Sequence, residues 1–224
     1  MHDGTLATAP MRALLAQESR MLAPELARAH GSTALLLETA GMPTLLSPLR
    51  DTLCACVSAR GELVGDLRAS IHALPFADGC MDLLVLRHVG EYVADPAALV
   101  GEALRVLAVD GVVIIAGIHP RSLWHPWLRH HAAMSNQAVQ LASPSRWRTW
   151  LAAADSQVNT VKHFGPSFPA QSATRFQGSG LLPAGYILVG SKRGRPPAVV
   201  RLKTAPRRLP VGGAVPGTAR RECA

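Results

Sequence analysis

The sequence has few cysteines, no apolar stretch long enough to span a membrane and no pattern of an export signal. The longest apolar stretches, such as GVVIIAGI, are far shorter than the roughly 20 residues that a membrane-spanning helix needs. The opening stretch MHDGTLATAPMRALLAQESR has no basic segment followed by an apolar one, so it predicts no export signal. The four cysteines form neither a C-x-x-C pair nor a disulfide framework. We therefore expect a reduced, cytoplasmic protein that does not use a membrane.

The formal charge of +8 is confined to one end of the chain. Residues 1–190 contain 14 basic and 14 acidic side chains, whereas residues 191–224 contain nine basic side chains and one acid. This tail mixes Pro, Gly and Arg without an apolar period, which is typical of a flexible extension. Basic tails can bind the phosphates of nucleic acid, but no aromatic residues lie between these arginines, which favours a solvated tail.

The chain is long and apolar enough to bury a core without a metal or a disulfide. We predict three parts: a helical segment over residues 1–31, an α/β domain over residues 32–190, and the basic tail over residues 191–224. In the first part the apolar pattern predicts two helices, with Pro24 as the break between them and Gly31 at the end of the second.

Short apolar runs bounded by turn residues predict the strands of the central part. They cover residues 33–38, 52–58, 82–88, 111–118, 157–164 and 185–192, with a weaker candidate at 62–70. Asp95 and Pro96 have the residue types of a helix start, and a further helix is predicted at 143–154. Because continuous apolar strands that alternate with helices are typical of parallel sheets, we predict an α/β fold with a Rossmann-like, doubly wound, mostly parallel sheet and an antiparallel terminal strand.

The stretch LPFADGCMDLLVLRHVGEYVADPAALVGEALRVLAVDGVVIIAG carries the motifs of a known family. Leu-Pro-Phe precedes a turn and an acid, an apolar strand ends in Arg87 and His88, and Asp95-Pro96 opens a helix that ends in Arg-Val-Leu. Over residues 34–125 the chain resembles the class I S-adenosylmethionine-dependent methyltransferases of type 11. Within them it is similar to a small group of uncharacterised bacterial proteins with a helical N-terminus and a basic tail. The resemblance implies S-adenosylmethionine as the cofactor.

Ligands of open α/β sheets bind at the carboxyl ends of the strands, and the resemblance places a cofactor site there. The implied cofactor-binding residues are Glu38, Ala40, Gly41, Ser70, Ile71, Arg87 and His88. The predicted acceptor pocket contains Glu91, Tyr92, His119, Trp124 and His125. His88 is the predicted catalytic base; the alternative is that it contacts the cofactor methionine only through its backbone.

The first half of the domain departs from the family pattern. Ala40 and Met42 occupy the positions of two glycines that let the backbone approach the cofactor, and Gly41 is the one glycine of the loop. Where the family has an acid for the ribose hydroxyls, the stretch Ser58-Ala59-Arg60 offers none, and Ser70 stands where the family has an aspartate for the adenine. The interval before Ser70 is also short, so we predict that a crossover helix is lost or reduced to a turn.

The histidines near the tryptophans do not predict a metal site. His125, His130 and His131 lack both the His-x-x-x-His spacing and a supporting acid. The neighbouring tryptophans are either plain core residues or the roof of an apolar acceptor pocket, and both interpretations remain open.

Two functional hypotheses follow. The first is a methyltransferase that transfers a methyl group from S-adenosylmethionine to an unidentified acceptor, with a small molecule as the default. The second is a catalytically degenerate protein of the same fold that acts as a binding or scaffold module, with nucleic acid as a partner for its tail.

Overall fold

The structure is a computed structural model that describes residues 8–43, 45, 47–58, 62–134, 139–169 and 182–193. Within these ranges the helices are α1 (Ala9–Ala27), α2 (Pro96–Val106), α3 (Trp124–Met134) and α4 (Pro144–Ala153). The strands are β1 (Thr33–Thr39), β2 (Asp51–Val57), β3 (Glu62–Gly65), β4 (Ala69–Ser70), β5 (Met81–Arg87), β6 (Leu107–Ile118), β7 (Ser156–Phe164) and β8 (Gly185–Lys192). A 3-10 turn, Val89–Glu91, follows β5.

The eight strands form one sheet in the order β4-β3-β2-β1-β5-β6-β8-β7. The central strands β2, β1, β5 and β6 are parallel neighbours, whereas β3 and β8 are antiparallel to the strands on either side of them. All strands except β3 and β8 therefore share one direction. The predicted Rossmann-like α/β fold with an antiparallel last strand is confirmed.

The central strands are buried on both faces. Leu35 and Leu37 of β1 belong to a core that includes Leu99 of α2 and Trp147 of α4. Leu36 belongs to a second core, on the opposite face, that α1 and α3 cover. This double burial explains why the strands read as continuous apolar runs rather than as alternating ones.

Residues 8–31, the described part of the N-terminal segment, contain one helix, and the predicted break at Pro24 is wrong. Pro24 lies inside α1 with its side chain exposed, and Leu22 and Leu26 on either side of it are buried against the sheet. Burial of apolar side chains before and after the proline offsets the missing backbone N–H, so the helix continues to Ala27.

The predicted loss of a crossover helix is confirmed. Only residues 58–61 separate β2 from β3, and the two strands pair antiparallel as a hairpin. The weak candidate at 62–70 is thus two strands, β3 and β4, which also pair antiparallel.

The other predicted helices are confirmed, with one addition. The Asp95 carboxylate accepts hydrogen bonds from the backbone N–H groups of Ala97 and Ala98, both at 3.0 Å, and so caps α2. Helix α3 was not predicted. No helix in the described part of the chain is long and apolar enough to span a membrane. From residue 194 onward, the predicted tail lies outside the described residues.

Asp82 joins the amino ends of β1 and β5. Its Oδ2 accepts hydrogen bonds from the backbone N–H groups of Ser32 (2.8 Å) and Thr33 (3.1 Å) and from the Thr33 hydroxyl (3.1 Å). These backbone N–H groups lower the pKa of the carboxyl group. Gly31 makes the approach possible, because a Cβ there would lie 2.3 Å from the Asp82 carboxyl carbon.

Replacing Asp82 with alanine should lower the free energy of unfolding by about 1–3 kcal/mol, because three hydrogen bonds to a charged group are lost. Urea denaturation measures this change. Asp51 is exposed at the same amino edge, so Asp51→Ala is the matched control and should change stability by less than about 0.5 kcal/mol. Equal losses in the two variants would contradict the assigned role of Asp82.

Candidate functional site

Two opposite charges are buried where β1 and β5 end. Arg87 is the last residue of β5 and lies opposite Glu38 of β1 in the parallel register. Two positions earlier, Leu36 and Val85 belong to the core on the α1 face, so the side chains of Glu38 and Arg87 point to that face as well. Arg87 is 0% exposed and Glu38 is 9% exposed.

Arg87 connects three parts of the chain. Its Nε donates to Glu18 Oε1 at 2.5 Å and its Nη2 donates to Ser19 Oγ at 3.1 Å, both on α1. Its Nη1 donates to the Pro43 carbonyl oxygen at 2.7 Å and to Glu38 Oε1 at 3.3 Å. This guanidinium therefore holds α1, the loop after β1 and the end of β5 together.

His88 lies between two carboxylates. Its Nε2 is 2.7 Å from Glu18 Oε2 and its Nδ1 is 2.8 Å from Glu91 Oε1, and the ring is 3% exposed. Burial by itself lowers the pKa of His88, but the charges of Glu91 and Glu18 outweigh burial and raise the pKa from 6.5 to about 10. The ring is therefore an imidazolium that donates from both nitrogens. We call Glu18, Glu38, Arg87, His88 and Glu91 the charged network.

The backbone of His88 is equally constrained. The residue has a φ of 56°, its N–H donates to the Ala116 carbonyl at 2.9 Å, and its carbonyl accepts from the Thr39 hydroxyl at 3.0 Å. In this arrangement neither ring nitrogen has a lone pair, so the imidazole cannot act as a base. His88 instead links the ends of β1, β5 and β6.

Glu18 was not among the predicted site residues, although the sequence contains a signal for it. Leu14, Leu15 and Leu22 are buried on one face of α1, and Glu18 lies on that same face at helical spacing. A glutamate on the apolar face of a helix becomes buried when the protein folds, so its charge needs a cation as a partner. Its partner is more than sixty residues away in the sequence, so the helix pattern alone does not identify it.

The next two predicted residues lie beside the network. Glu91 is buried, and its Oε1 accepts a hydrogen bond from the Ile118 N–H at 2.6 Å as well as from His88. Tyr92 is partly buried, and burial, followed by the charge of Glu91, raises the pKa of its hydroxyl. Glu91 therefore belongs to the charged network and is not free for an acceptor.

His119 follows β6 at the same edge of the sheet and stays neutral. Burial, with the charges of His163 and Arg121, lowers its pKa below the ordinary value of 6.5. Its Nδ1 accepts a hydrogen bond from the Arg121 N–H at 3.3 Å, which assigns the ring proton to Nε2. Nε2 has no hydrogen-bond partner among the described residues, so His119 offers a neutral N–H donor.

The structure does not bring Trp124 and His125 to the charged network. Trp124 is 1% exposed in the core under α3, and its Nε1 donates to the Pro166 carbonyl at 2.8 Å. His125 is partly buried, with its Nδ1 3.2 Å from the Pro120 carbonyl. Within the described ranges no hydrogen bond joins either side chain to the network.

The chain is similar to known proteins in sequence and in fold. Residues 26–115 match the family model described as a methyltransferase domain. An uncharacterised Escherichia coli protein, YafS, is 42% identical over 66 residues, which cover 30% of this chain and 27% of that protein. A methyltransferase of Thermotoga maritima that depends on S-adenosylmethionine shares the fold, with a TM-score of 0.55 and 14% identity over 81% of this chain and 91% of that one.

A further structure of the same fold is the geranyl diphosphate C-methyltransferase of Streptomyces coelicolor, with a TM-score of 0.53 and 18% identity over 79% of this chain and 78% of that one. The methyltransferase-domain match covers 90 of the 224 residues. The Thermotoga maritima protein depends on S-adenosylmethionine, and the Streptomyces coelicolor structure contains S-adenosylhomocysteine.

The loop that faces the cofactor's methionine in such a domain is built differently here. Gly41 has a φ of 86°, so the one glycine of the loop stands where the left-handed turn requires it. Ala40 is half-buried, and Met42 packs against the core on the α1 face. None of the described residues between β1 and β2 is helical. In place of a following helix, the hydrogen bond from Arg87 to the Pro43 carbonyl oxygen constrains this loop.

At the adenosine end of the expected cofactor site, the side chains of Ser58 and Ser70 hydrogen-bond to nearby backbone N–H groups. Ser58 Oγ accepts the Glu62 N–H at 3.1 Å, and Ser70 Oγ accepts the His72 N–H at 3.2 Å. Ile71 is 0% exposed and belongs to the core. The residues therefore fit the cofactor in part: the methionine end of the methyltransferase domain keeps its acid and its turn, and the adenosine end lacks the usual carboxylates at Ser58 and Ser70.

Removing the charge of Glu18 should strongly destabilise the domain. Glu18→Gln removes the negative charge that Arg87 and His88 share and leaves one acceptor oxygen for the two donors, and breaking a buried ion pair costs about 3–5 kcal/mol. Glu25→Gln on the same helix is the control: its partners, Arg28 and Lys162, are partly solvent-exposed, so the loss should stay near 1 kcal/mol or below. Urea denaturation of both variants tests this, and similar losses would contradict the special role of Glu18.

The stability of the domain should fall as the pH rises from about 6.5 towards 10. The folded state keeps the His88 proton over this range while the unfolded chain has lost it, so each pH unit costs up to about 1.4 kcal/mol. His88→Asn accommodates the positive φ and removes the titration. The difference in unfolding free energy between wild type and His88→Asn, followed against pH, should shrink across this window; a constant difference would contradict an imidazolium at His88.

Proposed function

We propose that this protein is an S-adenosylmethionine-dependent methyltransferase that acts on a small-molecule acceptor. The match of residues 26–115 to the methyltransferase domain supports the reaction class. The observation that carries the proposal is the unbalanced charge of the network at the carboxyl ends of β1 and β5.

The network contains three carboxylates and two cations, so it has one excess negative charge. Each of its residues is 9% exposed or less. An uncompensated buried charge is costly, and a bound cation would remove that cost. Free S-adenosylmethionine carries an ammonium, a sulfonium and one carboxylate, and thus a net charge of +1, whereas S-adenosylhomocysteine has lost the sulfonium charge. The network therefore complements the methyl donor better than the product.

Glu38 is where this compensation would occur. Its side chain is 12% exposed, the largest value in the network, while those of Arg87 and Glu18 are 0% exposed. Burial raises the pKa of Glu38 despite the nearby guanidinium, so the ionised carboxylate is disfavoured in the folded protein and a cation bound beside it would stabilise it. Glu38 and the turn at Gly41 are the groups that would hold the methionine end of the cofactor.

The protein's own contribution to the reaction is binding, orientation and exclusion of water. The cofactor, when bound, supplies an electrophilic methyl group for in-line displacement, a reaction that requires no particular catalytic side chain. His88 has no base function in this arrangement. His119, neutral and with a free Nε2 N–H among the described residues, is the group at this edge that would orient a polar atom of the acceptor.

A small-molecule acceptor agrees with one protein of the same fold. The methyltransferase of Streptomyces coelicolor acts on geranyl diphosphate. The nucleic-acid contact predicted for residues 191–224 stays a prediction, since almost all of that tail lies outside the described residues.

A binding module of the same fold is the second candidate. The observation that favours it is the local use of Ser58 and Ser70, which leaves the adenosine end without the usual carboxylates. Such a module would keep the sheet and the charged network for stability and would not need to bind the cofactor. Cofactor binding therefore distinguishes the two candidates.

Isothermal titration calorimetry on the full chain, above neutral pH, tests the proposal. S-adenosylmethionine should bind more tightly than S-adenosylhomocysteine, and Glu38→Gln should weaken the binding of S-adenosylmethionine by about tenfold while it affects S-adenosylhomocysteine less. Glu38→Gln leaves Arg87 paired with Glu18, so the domain should stay folded. Asp51→Asn, at the opposite edge of the sheet, is the control and should change neither affinity. Absence of binding heat at millimolar S-adenosylmethionine would favour the binding module.

A further inference from the structure

Strand β3 lies between β2 and β4 and changes which side chain is next to the carboxyl end of β2. In a doubly wound sheet, parallel strands follow one another outward from the centre. Here β3 is inserted antiparallel between β2 and β4. Ser70, at the end of β4, is therefore one strand spacing, about 4.8 Å, farther from β2 than it would be without β3.

Glu62 occupies the place that the inserted strand creates. The Ser58 N–H donates to the Glu62 carbonyl at 2.8 Å, and Glu62 pairs with Ser70 on its other side. The three residues thus form a row across the sheet at the carboxyl end of β2. Glu62 is exposed, and its carboxylate has no partner among the residues that the structure describes.

The side chain of Glu62 points to the same face as Glu38. Leu63, its neighbour, is buried with Val57 and Leu37 in the core on the other face. Because side chains alternate along a strand, Glu62 projects to the face on which Glu38 and Arg87 lie. Two carboxylates therefore stand on one face at the carboxyl edge, one on β1 and one on β3.

A partly apolar surface lies between the two acids. Glu38 pairs with Cys56, and Cys56 pairs with Val64, so these side chains form the next row on the same face. Cys56 is half-buried and Val64 is 48% exposed, since none of the described residues between β1 and β2 forms a helix that could cover them. A flat aromatic group could rest on this row while its polar substituents reach the edge.

We propose that Glu62 binds the ribose hydroxyls of the adenosyl group and takes over the role of the acid that Ser58 lacks. A carboxylate accepts two hydrogen bonds from a vicinal diol, and a hydroxyl side chain cannot match this charge-assisted pair. The assignment rests on the proposed function, because it requires that the cofactor binds at this edge. In this assignment a residue of the inserted hairpin, rather than one at the end of β2, binds the adenosyl end of the cofactor.

The test compares S-adenosylhomocysteine with its 2′-deoxy analogue by titration calorimetry on the full chain. Wild type should prefer the ribose form by about 10- to 100-fold, the effect of one hydrogen bond to a charged group. Glu62→Gln should lose most of this preference by weakening the binding of the ribose form, with little change for the deoxy form. Asp51→Asn, an exposed acid at the opposite edge of the neighbouring strand, should keep the preference.

The possible results test the role of Glu62 separately from the proposed function. A Glu62→Gln variant that keeps the full ribose preference overturns the role of Glu62 and leaves the proposed function intact. Equal weakening of both ligands also overturns it, because the carboxylate would then act on another part of the molecule. Failure of the wild type to bind either ligand removes the proposed function itself. Glu62 is exposed, so its replacement should leave the urea midpoint unchanged, and a shifted midpoint would show a structural role instead.

Discussion

The structure depends on the pairing of a buried guanidinium with carboxylates from other segments. Arg87 ends a strand that is buried on both faces, so its charge has no access to water and must be neutralised within the protein. Glu18 neutralises it from α1, and this requirement fixes the position of the helix along the sheet. The same glutamate, together with Glu91, keeps His88 protonated, and His88 in turn positions Glu91 against β6. One ion pair thus organises the end of the sheet where the site lies.

Much of the fold could be predicted because the signals are local. Buried parallel strands produce continuous apolar runs, and Asp95 marks the start of α2 with a hydrogen bond to its own first turn. The errors arose where tertiary contacts decide. Pro24 is tolerated because leucines on both sides of it are buried, and the antiparallel direction of β3 depends on a hairpin that periodicity cannot reveal.

The site could be predicted only to the level of strand ends. Glu38, Arg87, His88 and Glu91 were placed correctly at the carboxyl edge, since the order of strands in the fold brings those positions together. Their chemistry was not predictable, because the protonation of His88 depends on Glu18 as well as on Glu91, and Glu18 reaches it from a separate helix. A sequence shows that a histidine ends a strand; it does not show which charges surround the ring.

The described residues between β1 and β2 are not helical, and this bears on which ligands the loop accepts. In dinucleotide-binding folds the helix that follows this loop presents partial positive charge and free N–H groups, which suit a phosphate. In the described residues of this loop no helix follows, and the positive charge of Arg87 is already taken by Glu18, Glu38 and the Pro43 carbonyl. The most exposed side chain of the network is the carboxylate-bearing one of Glu38. The edge therefore disfavours a phosphate and favours a cation, and a sulfonium next to an ammonium is such a ligand.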